Sequence, residues 1–299
     1  MRPLPLAFLD HRPSRAVGLN ALDPADWLWP DELYEAEMAQ RDALLEQRPG
    51  EVLALLPEAE EAARELLALV AAFLLEHHRD RFRRGDGGDD HLIVGPGCRR
   101  VDLADPNPLR AAGRLVQEDL CLLQSSRDGG SYRLTGAALC FPAHWRLRDK
   151  LGRPLDAIHD PVPGFAERLA APVDRLFAAL AAERPVWRAN WSVVENATLH
   201  HPHPRQRLPD LTAENAGEKL WLRVERQTLR RLPASRAIVF TIRTLVRPLG
   251  EVVAEGAKAR ALAARVRELD PAVAAYKGLP ALAPALLGWL DRRAAAGDG

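Results

Sequence analysis

From about Leu115 onward the sequence changes its hydrophobic period, and that change limits the possible folds more than any other feature. Leu120–Gln124 (LCLLQ), Tyr132–Phe141 (YRLTGAALCF), Val186–Glu195 (VWRANWSVVE), Lys219–Leu229 (KLWLRVERQTL) and Ala237–Leu249 (AIVFTIRTLVRPL) are rich in β-branched and aromatic residues. Such residues fit a pleated, half-buried surface, so all five segments read as strands. Ser125–Ser131 (SSRDGGS) has turn chemistry and joins the first two into a hairpin. Helices do not alternate regularly with these strands, which argues for a mostly antiparallel sheet and an α+β fold.

Around the strands lie helical segments. Asp31–Arg48 places acidic residues in its first turn. Pro57–Arg84 opens with Pro-Glu-Ala-Glu-Glu and closes with Arg79, Arg81, Arg83 and Arg84, matching the helix dipole at both ends. His77 and His78 near that basic end are explained by the same dipole. Gly85–Asp90 (GDGGDD) breaks the pattern as a surface turn. His144–Gly152 reads as a short helix opened by His144, and Phe165–Glu183 as a longer one despite Pro172. Residues 251–296 are Ala-rich and helical. Neither an internal repeat nor a low-complexity linker is present, so residues 1–299 are expected to form one domain. Within it, 1–90 is a helical N-terminal region, 91–249 the β-rich core and 250–299 a helical C-terminal region.

Composition excludes several function classes. Forty-one Lys and Arg balance 41 Asp and Glu, leaving no overall basic field to gather nucleic acid or anionic lipid. Three cysteines, Cys98, Cys121 and Cys140, are too few for a disulfide framework or for the four thiolates of an iron–sulfur cluster. They read as buried, reduced thiols. The longest apolar stretch, Leu66–Leu75, falls short of the roughly 20 residues that cross a bilayer. Met1–Asp10 has no small-residue cleavage site, so a cytoplasmic protein is expected, away from membranes. The common dinucleotide, phosphate-loop, zinc-protease and serine-hydrolase motifs are absent, and Gly95-Pro96-Gly97 reads as a plain turn.

Four places could carry chemistry. His200, His201 and His203 crowd into Leu199-His-His-Pro-His-Pro-Arg205. Pro202 and Pro204 stiffen that segment so that His200 and His201 point apart, and no carboxylate stands at an obvious ligand spacing, so a solvated loop is expected. Period-two alternation puts Trp187, Trp191, Val193 and Glu195 on one strand face. Glu195 is then a pocket carboxylate poised for proton transfer, a cation-binding group, or a solvated strand end. Arg226 ends the apolar stripe Leu220, Leu222 and Val224 and needs an anionic partner, while Arg223, Glu225 and Gln227 read as a solvated opposite face. His159 sits among Pro154, Pro161 and Pro163, a rigid mount. A single histidine cannot hold a bare zinc ion, but it could hold a haem iron, because the porphyrin supplies four ligands.

Several motifs in order resemble one family. Val116-Gln-Glu-Asp-Leu-Cys-Leu-Leu123, Cys140-Phe-Pro-Ala-His-Trp145, Lys150-Leu-Gly152, Ile158-His-Asp-Pro-Val-Pro163, Asn190-Trp191, Glu195-Asn196 and Arg223-Val-Glu-Arg-Gln-Thr-Leu-Arg-Arg-Leu-Pro233 are similar to the alpha-subunit-like proteins of the haem-dependent oxidative N-demethylases. The resemblance covers about Leu92 to Leu249; the termini carry none of it.

The resemblance implies a PAS-like, five-stranded antiparallel sheet holding haem b in its pocket. It also implies an enzyme that activates O2 and oxidises an N-methyl group of a small methylated amine such as dimethylamine, releasing formaldehyde. Electrons would come from a separate NADPH-dependent flavin and iron–sulfur reductase. On the matching motifs His159 is the expected axial ligand and Glu195 the distal carboxylate. Arg223 and Arg226 are expected on the haem propionates, as guanidinium groups pair bidentately with carboxylates. Asp160 or a backbone carbonyl of the same loop is the expected orienting partner of His159. A non-catalytic haem or gas sensor is the alternative on the same fold, and an interaction protein without cofactor a third.

Overall fold

The computed structural model describes residues 4–9, 18–85, 90–95, 97–125, 131–165, 170–205 and 208–296. Most of the Gly85–Asp90 loop and the Ser125–Ser131 turn therefore lie outside the described residues, as do Pro96 of the Gly-Pro-Gly turn and the first turn of the helix expected from Phe165. Ten strands are present among the described residues: β1 (Asn20–Ala21), β2 (Leu53–Leu55), β3 (Phe82–Arg84), β4 (His91–Val94), β5 (Arg99–Asp102), β6 (Asp119–Ser125), β7 (Tyr132–Ala138), β8 (Val186–Val194), β9 (Trp221–Arg231) and β10 (Ile238–Pro248). The five expected segments are the five long strands, neighbours in the order β8-β9-β10-β6-β7. Every pairing in their sheet is antiparallel.

The sheet has seven strands, however, because β1 adds to β8 and β2 to β7. Two- and three-residue edge strands are too short for a period of two to register in sequence. A second sheet, β3-β4-β5, was also not expected. It takes up the end of the segment read as one helix over Pro57–Arg84. Phe82 is buried and pairs with Val94 while Arg83 and Arg84 face water, so alternation overrides the apparent helix end.

The helices are α1 (Tyr34–Gln47), α2 (Pro49–Val52), α3 (Glu60–His77), α4 (Pro108–Gly113), α5 (Leu155–His159), α6 (Ala170–Ala179), α7 (Ala216–Lys219), α8 (Leu249–Val252), α9 (Gly256–Glu268), α10 (Pro271–Tyr276) and α11 (Ala283–Ala296). α6 contains Pro172 and lies within the helix expected over Phe165–Glu183. The helix expected over His144–Gly152 is only a 3-10 turn at Leu147–Asp149, and the His159 loop is instead the end of α5.

Alternation along the long strands gives the large sheet two unlike faces. Val224, Arg226 and Thr228 share one face with Val239. The N-terminal helices cover part of it with Trp27, Leu66, Val70 and Leu74, and α9 and α11 cover the rest with Leu262 and Leu286. On the other face α5 and α6 cap only one end, where Leu155, Ile158 and Phe177 pack on Leu123, Leu134 and Ile238. Beyond that cap the face carries polar pairs, Arg188 opposite Gln227, Asn190 opposite Glu225 and Ser192 opposite Arg223. This half-open polar face positions the candidate sites.

Two buried ionic clusters tie α1 to the sheet. Arg243 lies between Asp31 (2.6 Å) and Glu37 (2.8 Å), while Gln117 donates to both carboxylates. Arg41 donates to Asp119 at 2.8 Å, and Asp119 also accepts the backbone N–H groups of Cys140 and Phe141. Neither Arg41 nor Asp119 is more than 1% exposed, so each charge depends on the other for its solvation. Replacing Asp119 with Ala should therefore lower unfolding free energy by about 3–5 kcal/mol, read as a reduced urea midpoint with an unchanged denaturant slope.

Candidate functional site

His159 is the last residue of α5, a helix that starts directly after Pro154. Its Nδ1 donates to the Leu155 carbonyl at 2.8 Å, one helical turn back, and its ring stacks on Phe165 with centroids 4.3 Å apart and an angle of 10°. The orienting acceptor is thus the backbone carbonyl and not Asp160. Nε2 has no hydrogen-bond partner among the described residues. Burial pushes the imidazole pKa below its ordinary value, and the nearby cations Lys150 and Arg188 push in the same direction. His159 is accordingly neutral at pH 7, with its lone pair on Nε2. It lines a cavity of about 470 Å³ together with Arg153, Asp156, Val162 and Phe165, a size usual for small-molecule sites. Metal-ligating histidines are held in this way, one nitrogen bonded to a carbonyl and the other available, so this side chain could hold a haem iron.

Glu195 is built into a different cluster. β8 ends at Val194, and Glu195 falls in the bend that follows, where alternation no longer fixes its face. It is only 7% exposed, which removes the solvated strand end from its three expected roles. Its Oε1 lies 3.9 Å from Nε2 of His201 and its Oε2 lies 3.6 Å from Arg205. His144, Glu195 and His201 each offer one donor atom, all within 4.8 Å of one another. His144 has a positive φ of 60° and its Nδ1 donates to the His203 carbonyl. Burial lowers the pKa of both imidazoles, opposed at His144 by that hydrogen bond and at His201 by the Glu195 carboxylate.

His200 and His201 are therefore not solvated as expected, whereas His203 is exposed. Nε2 of His200 and of His201 are both buried, and Nδ1 of His200 donates to the Cys140 carbonyl. A carboxylate partner for His201 does exist in Glu195, six residues earlier in the chain. The third member, His144, comes from the far side of a 57-residue separation that no spacing rule bridges. Only the shared resemblance of Cys140–Trp145 and Glu195-Asn196 to one family hinted that the two segments meet.

Arg223 and Arg226 lie on opposite sheet faces, as their alternation requires. Arg223 is 2% exposed and so not part of a solvated face; it donates to the Phe141 and Leu199 carbonyls and lies 3.5 Å from Glu225. Arg226 donates to the Trp27 and Asp26 carbonyls, meets the Asp26 carboxylate at 3.3 Å and packs over the Trp29 ring. The structure thus places neither beside His159 and does not bring Glu195 there either: the His159 cavity and the Glu195 cluster share no lining residue. The cations whose charge acts on His159 are Lys150, which donates to the Ile158 carbonyl, and Arg188, whose guanidinium makes no hydrogen bond among the described residues.

An α+β chain with one imidazole prepared on a cavity wall is the class of protein that the fold and site define. The profile of the family described as haem-dependent oxidative N-demethylase, alpha subunit-like, matches residues 18–287, and the chain belongs to that family. The match reaches well beyond Leu92–Leu249 and takes in most of both terminal regions, which had carried no resemblance.

The thiols are separated by exposure. Cys140 is buried beside Asp119, with its pKa pushed up to about 12, and burial raises Cys121 further, whereas Cys98 is exposed rather than buried as expected. Thiolate is the reactive form. A maleimide should label the native chain once, at Cys98, and the unfolded chain at all three cysteines, as mass spectrometry would show.

Proposed function

We propose that the chain binds haem b non-covalently through His159 and serves as the haem-bearing subunit of an oxidative N-demethylase acting on a small methylated amine. The observation that carries this reading is the His159 imidazole, held by Leu155 through Nδ1 and left with a free Nε2 on the wall of the 470 Å³ cavity. When bound, haem would supply the activation of O2 that oxidises the N-methyl group and leads to formaldehyde. The protein's part is orientation and electrostatics. Leu155 fixes the imidazole tautomer, Phe165 fixes its plane, and Lys150 and Arg188 are the cations we assign to the propionates in place of Arg223 and Arg226. The five long antiparallel strands, with the helices α5 and α6 laid over one face between the second and third, support a PAS-like description.

Glu195 remains the carboxylate assigned to proton or cation handling, in the bend that follows the strand carrying Arg188. Electrons must come from outside, because three cysteines cannot ligate an iron–sulfur cluster and the chain has no dinucleotide fingerprint. A family named for an alpha subunit fits a reductase partner of the NADPH-dependent flavin and iron–sulfur type.

His159→Ala should lower haem occupancy and shift the Soret band, and free imidazole should restore part of the original spectrum. NADPH-driven formaldehyde release with a reductase tests the demethylase step separately from binding. A wild-type chain that purifies colourless and takes up no hemin refutes the reading, and a His159→Ala variant with full haem and an unaltered spectrum refutes the ligand assignment.

A further inference from the structure

We infer that His144, Glu195 and His201 form a second site, which binds one divalent first-row transition-metal ion independently of haem. The proposal goes beyond the haem reading and does not rest on it. Two imidazoles and one buried carboxylate, with donor atoms all within 4.8 Å, need to close by only about 1 Å to meet a common ion at the usual bond lengths of about 2.0–2.2 Å. The mixed nitrogen and oxygen set selects zinc, iron, cobalt or nickel over calcium or magnesium, which take oxygen ligands. Beside these side chains lies a cavity of about 10 Å³, bordered by Asn196, Thr198 and Arg223. That is room for one ion or one water and nothing larger.

Independent features show that the site is prepared in advance. Nε2 of His201 is buried and has no hydrogen-bond partner among the described residues, an arrangement that leaves a desolvated polar atom unless something binds there. Nδ1 of His144 donates to the His203 carbonyl, leaving Nε2 as the ligand atom, the outer-sphere bond that orients metal-binding imidazoles. The two histidines are joined directly by backbone pairing: the His144 N–H donates to the His201 carbonyl at 2.6 Å, and the His201 N–H donates to the Pro142 carbonyl. His144 is held at a φ of 60°, a conformation that costs a side-chain-bearing residue energy and that persists where the surroundings enforce it.

Two cations border the site and must be reconciled with a third. Arg223 has its guanidinium turned to the Phe141 and Leu199 carbonyls, so its donors are committed to holding the two histidine segments together. Arg205 approaches Oε2 of Glu195 and also donates to the Val193 carbonyl, while Oε1 lies 3.9 Å from Nε2 of His201. Arg205 and Arg223 are therefore positioning residues for the carboxylate and the loops.

The untagged full-length chain, stripped with chelator, should be titrated with Co2+ before and after hemin is supplied. The wild type should bind one equivalent, with d–d absorption from mixed nitrogen and oxygen ligation, and equally with and without haem. His144→Ala and His201→Ala should each lose at least tenfold in affinity while keeping the Soret band of the haem-loaded protein, whereas His203→Ala, which retains the carbonyl used by His144, should bind as the wild type does. Metal-edge absorption of the wild type loaded with Zn2+ should show imidazole scattering, and this measurement stands even if a histidine variant fails to fold. No saturable Co2+ binding by the wild type, oxygen-only ligation at the zinc edge, or affinity unchanged in both histidine variants overturns the site. Loss of the Soret band in a folded His144→Ala variant overturns it as well, since the cluster would then belong to haem. Failure of hemin uptake with Co2+ binding intact would refute only the haem reading.

Discussion

The carboxylate of Asp119 is the point on which the second face of the sheet depends. It starts β6, is buried almost completely, and gathers Arg41 from α1 and two N–H groups from the chain just after β7. Those N–H groups belong to Cys140 and Phe141, whose carbonyls in turn accept from His200 and Arg223. Arg223 reaches on to the Leu199 carbonyl, and the His144 N–H to that of His201. One buried anion thus fixes a path through two loops that are far apart in sequence. Buried ion pairs seldom add net stability over apolar residues of similar volume, but they impose a specific arrangement that fails when one partner is lost. Here the arrangement they impose is the meeting of His144 with Glu195 and His201.

What the sequence revealed followed from period and length. The five strands, the first helix and the helical C-terminal region show patterns of ten or more residues, or strong β-branched and aromatic content, and each reappears in the structure. β1, β2 and the second sheet are too short to carry such a signal. The misread end of the helix over Pro57–Arg84 came from treating four arginines as a dipole partner when Phe82 between them marks a strand. At the level of sites, the prolines around His159 drew notice to its segment, but the structure holds the imidazole at the end of α5 through the Leu155 carbonyl and the Phe165 ring. The Glu195 partners were not legible, since they come from segments joined by backbone bonds that no side-chain pattern announces. Arg223 and Arg226 show the limit differently: three residues apart, they must lie on opposite faces of a strand, and a shared ligand for both was incompatible with alternation.

The polar half of the second face carries more positive than negative charge. Arg188, Arg205, Arg223 and Lys277 are set against Glu195 and Glu225. Lys277 donates to the Asn190 side chain, sits over the Trp191 ring, and is pushed by burial down to about 8. Keeping several cations half-buried with too few anions costs solvation energy unless an acidic ligand completes the balance. Arg188 is the clearest case, because burial lowers its pKa and only Glu225 opposes that effect. Under the proposed function, the propionates of haem would answer the imbalance at the His159 end of the strand. The other end answers it differently, through carbonyls that absorb Arg223 and one carboxylate oxygen that meets Arg205. The two ends of one sheet face thus differ in how their cations are held: the Arg188 guanidinium makes no hydrogen bond among the described residues, whereas Arg223 and Arg205 are bound by carbonyls and Glu195 where His144 and His201 converge.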